Sequence, residues 1–123
     1  MSDTYSYLLT HFIFSTKNRT PSIPDAMRPR LHEYAGGILR GHECALHAIG
    51  GVEDHMHLLV RRHPTRAEAE VMRLVKANTS KWIHETFPEH AAFEWQRGYA
   101  AFSVSKSGEA EVVKLDTGAD APV

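Results

Sequence analysis

The stretch Cys44-Ala-Leu-His-Ala-Ile-Gly-Gly-Val-Glu-Asp-His-Met-His-Leu-Leu-Val-Arg61 decides the fold. Two apolar runs flank a break containing Gly50 and Gly51, the pattern of a β-hairpin around a glycine-containing turn. Residues two apart in a strand point the same way. Met56, Leu58 and Val60 therefore face one side, and His55 and His57 face the other with their α-carbons ~7 Å apart.

Working outward, the hairpin is bracketed by helical patterns. Downstream, Pro64-Thr65 opens a helix over about residues 66–86, with Ala67, Val71, Leu74, Val75, Asn78 and Trp82 on one face and Phe87-Pro88 at its end. Upstream, Asp25 is the expected N-cap of a helix reaching about Arg40, and Met27, Leu31, Tyr34, Ala35 and Ile38 form its buried stripe. Pro29 suits the first turn and Gly41 the stop. Gly36-Gly37 costs roughly 1 kcal/mol per residue relative to alanine, so the pair points to close approach to a sheet. Further out, residues 5–16 read as a strand apolar on both faces, hence central, and Lys17–Pro24 as a loop. Gly98–Ser105 supplies a last strand. Ser107 is the expected cap of a short helix running from Glu109 to Leu115, ahead of a frayed tail over 116–123.

The order strand, helix, strand, strand, helix, strand predicts an α+β, ferredoxin-like (split βαβ) fold. One antiparallel sheet carries two helices on one face, and its other face is left free for a partner or substrate. The 123 residues, 42% hydrophobic and 24% charged, fit one globular domain and exclude disordered or fibrous classes. No apolar run approaches the ~20 residues of a membrane span, the N-terminus lacks a signal pattern, and the single Cys44 excludes an internal disulfide. A cytoplasmic location is the expectation. Fourteen Lys+Arg against fifteen Asp+Glu give a net charge of -1, which does not announce a nucleic-acid protein. The charge is uneven, however: residues 1–108 carry a net +2 and residues 109–123 a net −3.

Three groups of residues offer chemistry. His55 and His57, side by side on one sheet face, could hold a divalent metal and leave positions open for a third ligand and a substrate oxygen; as two of nine histidines they could equally be a chance pair. Arg73, Lys76 and Ser80 share a face of the second helix, with Lys81 nearby. Joined by Arg61 and Arg62, these residues could contact phosphates or form an ordinary solvated face. Phe93-Glu-Trp-Gln-Arg-Gly-Tyr99 could stack on unpaired bases, although closing the core is the more usual task of such aromatics. The four tyrosines, Tyr5, Tyr7, Tyr34 and Tyr99, all lie in segments explained by packing.

Four segments together resemble one family: Phe14-Ser-Thr-Lys-Asn-Arg19, Ile49–Val60, Val75-Lys-Ala-Asn-Thr-Ser-Lys-Trp82 and Phe93–Ser105. In order and spacing they look like the single-tyrosine HUH transposases of small insertion sequences and their REP-associated relatives. The resemblance spans about residues 5–107, which form an HUH-like domain, with 108–123 a divergent tail. It implies a protein, usually a homodimer, that recognises single-stranded or hairpin DNA without a membrane association. Such enzymes nick and rejoin strands with a divalent metal, Mg2+ or Mn2+. By motif match His55 and His57 are the metal ligands; the basic residues Arg61, Arg62, Arg73, Lys76, Lys81 and Arg97, read from their charge and placement, are the expected DNA contacts. A tyrosine oxygen attacks phosphorus in this chemistry to give a phosphotyrosine link, so strand transfer needs no nucleotide cofactor.

The departure from the family is at the end of the chain. Counting from Ser105-Lys-Ser107, the nucleophilic tyrosine position falls at Leu115 and the glutamine that completes the metal site at Ala119. No tyrosine follows Tyr99, and Tyr99 matches a strand tyrosine of the family. The pattern thus breaks near Gly108, as a frameshifted, truncated or decayed end would. The expectation is a transposase-family protein without a nucleophile, with a metal site completed only weakly by Glu53, Asp54 or water and open to adventitious Zn2+ or Ni2+. The alternative is a domesticated or decayed hairpin-DNA binder that does not cut.

Overall fold

The chain threads its first strand, β1 (Leu9–Ser15), between two others, as its two apolar faces require. The structure is a computed structural model and describes residues 8–117. After β1 come α1 (Arg28–Gly41), β2 (Ala45–Val52), β3 (His55–Arg61), α2 (Glu68–Thr86), β4 (Ala100–Ser103) and α3 (Glu109–Thr117). The sheet order is β2-β3-β1-β4 with every pairing antiparallel, the ferredoxin-like arrangement expected from the element order. Along β3, Met56, Leu58 and Val60 join Phe12 and Phe14 of β1 beneath the helices, packed on Leu31, Ala35 and Leu39 of α1 and Val71, Met72, Val75 and Ile83 of α2. Each such large side chain taken from water contributes about 1.5–3 kcal/mol, so this layer is the main source of stability.

The second sheet face is only partly free, which corrects the expectation of an open face. Leu9, Ala48 and Leu59 are buried there beneath Val104 and the Val112 and Val113 side chains of α3. Glu109 at the start of α3 meets the Nδ1 atom of His47, and a bulge between Leu46 and Ala48 interrupts the β2 register at that histidine. The charged segment after Ser107 therefore contains a helix docked on the sheet by Val112 and Val113 and by the His47–Glu109 contact.

Several local expectations move. The β2–β3 turn falls at Glu53-Asp54, because Gly50 and Gly51 continue the strand and pair with His57 and Met56. Gly51 is needed for close approach rather than for turning: a Cβ there would run into the His55 carbonyl and come 3.1 Å from the Met56 α-carbon. Asp25 does not cap α1; Met27 holds the cap position, and Asp25 instead pairs with Arg28. The carbonyl of Pro24 accepts from the amides of Met27 and Arg28, doing what the aspartate was expected to do. The left-handed turn after α1 is made by Glu43 (φ 63°), not by Gly41. Gly36 is buried with Leu46 of β2 nearby, as close approach demands, while Gly37 is exposed. On α2 the buried stripe is Val71, Met72, Val75, Thr79 and Ile83, and Ala67 is exposed. Ser105, not Ser107, accepts from the Gly108 amide ahead of α3. Tyr5 and Tyr7 lie outside the described residues.

Candidate functional site

His55 and His57 emerge on the face of β3 opposite the core, at the end of the sheet that α3 leaves uncovered. Their ring centroids are 4.8 Å apart with planes inclined at 57°. His11 of β1, buried, stacks on His57 at 5.6 Å, so three imidazoles run side by side across two strands. No motif announces His11; only the β1–β3 register, with Ile13 opposite His57, brings it there.

His55 is oriented from behind. Asp54, at the turn, meets its Nδ1 atom at 2.8 Å through one carboxylate oxygen and accepts from Arg19 Nε at 3.2 Å through the other. With Nδ1 engaged in this way, Nε2 is the nitrogen left to act on a ligand. The hydrogen bond from His55, followed by the bond and charge of Arg19, holds the Asp54 carboxyl below its ordinary range against the opposing effect of burial. Arg19 reaches Asp54 from a tight loop in which Asn18 (φ 58°) and Arg19 (φ 56°) both occupy the left-handed region, rarely adopted by side-chain-bearing residues. Thr16, fully buried, anchors that loop: its amide donates to the Asp54 carbonyl at 2.9 Å and its hydroxyl to the Thr20 carbonyl at 2.7 Å. The opposite wall is the 93–99 segment, where the Asn18 amide donates to Gln96 Oε1 at 3.0 Å and the Gln96 amide to the Ser15 carbonyl at 2.8 Å.

Between these walls lies an open cleft of about 340 Å³ whose lining includes Arg19, His55, His57, Arg97 and Tyr99. It combines two imidazoles on one surface with two guanidinium groups, a set suited to a divalent ion beside a phosphate. The profile of IS200-like transposases matches residues 4–115. The chain belongs to the IS200-like transposase family. Among solved structures, a candidate transposase from Deinococcus radiodurans R1 is 22% identical over 94% of this chain and 93% of its own, with a TM-score of 0.78. A REP-associated tyrosine transposase bound to a REP hairpin is 15% identical over 94% of this chain and 70% of its own, with a TM-score of 0.64. At these identities the two structures show a shared fold. No curated protein matches the sequence.

His55 and His57 thus share one strand face, as their spacing predicts, but the rest of the expected site is distributed differently. Among the described residues no group of three or more His, Cys, Asp or Glu side chains could hold a metal ion. Of the two acidic residues considered as extra ligands, Asp54 is tied to His55 and Arg19, and Glu53 is exposed. Leu115 lies within α3, and Ala119 lies outside the described residues. Of the six expected DNA contacts, only Arg97 lines the histidine cleft. Arg61 lies at the far end of β3, ~20 Å along the strand from His55. Arg62 donates to Thr10 Oγ1 and to the Arg66 carbonyl. Arg73 and Lys81 are exposed on α2, on the helical side of the sheet, and Lys76 is half-buried against the 96–98 backbone. Arg19, absent from the expected set, joins the cleft because the 16–20 loop folds over Asp54. Phe93 and Trp95 are buried, packed edge-on at 4.8 Å, with Trp95 against Phe14 at 4.7 Å; they close the core rather than offer a stacking surface. Tyr34, expected in the core, is exposed and stacks on Trp82 at 5.0 Å.

Proposed function

We propose that this chain binds single-stranded or hairpin DNA at the His55–His57 cleft and does not cleave it through a phosphotyrosine. The reading rests on one observation: the cleft joins the family's histidine pair to Arg19 and Arg97, while the position matched to the nucleophile is Leu115. Arg97 is exposed and would meet a backbone phosphate; Arg19, already tied to Asp54, would add positive charge without changing its partners. His55 and His57 fit two positions of a divalent-metal site, because their rings share a surface and Asp54 fixes His55 from the Nδ1 side. Mg2+ or Mn2+ held there would polarise a phosphate oxygen. With two protein nitrogens the affinity is expected to be weak.

Two copies are expected to associate, with the edge strand β4 and its exposed Phe102 as the contact; light scattering giving a monomer mass would remove that part. The central test mixes the protein with a labelled DNA hairpin and Mn2+. Binding without a denaturation-resistant protein–DNA adduct is the expected result, and an adduct would overturn the loss of cleavage. Peptide mapping of such an adduct would ask first about Tyr99, which lines the cleft.

A further inference from the structure

Helix α2 reaches the cleft from the core side. On one of its faces Lys76 and Thr79, three residues apart, both hold the 93–99 wall. Trp95 Nε1 donates to Thr79 Oγ1 at 3.0 Å in a buried contact. The Lys76 ammonium donates to two main-chain carbonyls, that of Gln96 at 2.6 Å and that of Gly98 at 2.8 Å. Those carbonyls bracket Arg97, the one expected DNA contact that lines the histidine cleft. Gly98, at φ 81°, turns the chain directly after it.

A partly buried ammonium is costly unless its donors are satisfied. Here two of its three donors are satisfied by backbone on either side of a single residue. We propose that Lys76 is a positioning residue, a latch from α2 that fixes the turn presenting Arg97 to the cleft, and that it does not itself contact DNA. The consequence for binding rests on the DNA reading above; the latch itself does not. Burial, which lowers the Lys76 pKa, agrees with an ammonium directed inward rather than toward a solvated phosphate.

The test uses Lys76→Met, which keeps the aliphatic stem, Lys76→Arg, which keeps donors, and Arg97→Ala. On the free protein, amide hydrogen exchange at Gln96, whose N–H is bonded to Ser15, should quicken about tenfold in Lys76→Met, the scale of losing a charged hydrogen bond, and recover in part in Lys76→Arg. Protection of Leu58 should stay unchanged, separating a local release from general destabilisation. Unchanged Gln96 exchange in Lys76→Met would overturn the latch. With a fluorescein-labelled DNA hairpin, Lys76→Met and Arg97→Ala should weaken binding by similar factors and the double variant no further. Additive losses, with the Lys76→Met salt dependence shallower by about one ion, would instead assign Lys76 a direct phosphate contact and overturn the proposal. Wild-type protein that binds no DNA would remove the functional reading alone, leaving the exchange result to decide the latch.

Discussion

Asp54 lies next to the expected metal ligands in sequence, yet the structure uses it to hold one of them. Its folded-state pKa is depressed, so its bonds to His55 and Arg19 add stability that is complete above the ordinary carboxylate range. That stability is lost as pH falls through the lowered value. The stability difference between wild type and Asp54→Asn should therefore shrink as pH is lowered from about 6 to about 3. Parallel urea titrations at several pH values would measure it, and a difference independent of pH would remove the carboxylate from the account. Gly51 acts at the same scale. Because a Cβ there collides with the His55 carbonyl, Gly51→Ala should destabilise the protein by roughly 2 kcal/mol. A melting temperature equal to that of wild type would show that the strand can shift to make room.

At the scale of the element, β3 carries the core on one face and the proposed site on the other. Leu58 is fully buried between sheet and helices, so Leu58→Ala should cost about 2–5 kcal/mol and leave little folded protein at physiological temperature. One residue earlier, His57→Ala should preserve the far-ultraviolet circular dichroism spectrum but lower Mn2+ affinity about tenfold or more in calorimetric titration. Equal affinity in both proteins would take the histidine pair out of the metal site. The alternation that makes this contrast was legible from His55–Val60 alone, because a strand's period of two is a local property. The position of the β2–β3 turn was not. Glycine marked a tight spot in the backbone, but whether that spot was a turn or a close approach to the facing strand depended on the register with His55 and Met56.

At the scale of the molecule, α3 closes part of the sheet's second face and so defines where the cleft remains open. Val112 is half-buried against Leu9, Ala48 and Leu59. Val112→Asp should lower stability by about 1–3 kcal/mol through burial of an unpaired charge. Unaltered denaturant midpoints would mean that α3 is not held to the sheet. Sequence alone predicted a helix after Ser107 but gave no sign that it would dock, since so short a helix with an acidic balance does not announce which surface its valines cover.

The sequence by itself determined the element order, the two-faced character of β1 and β3, and the side on which His55 and His57 stand. All of these follow from side-chain periodicity and from motifs within a few residues of one another. Only the tertiary structure decided which charges meet the histidines. Arg19 and Arg97, 78 positions apart, come together because the 16–20 loop and the 93–99 wall bond to each other across the end of β1. Lys76, a solvated cation by its spacing on α2, is drawn inward by carbonyls some twenty residues downstream. A charged side chain's partners depend on which backbone the fold brings within hydrogen-bonding reach, and no local pattern carries that information.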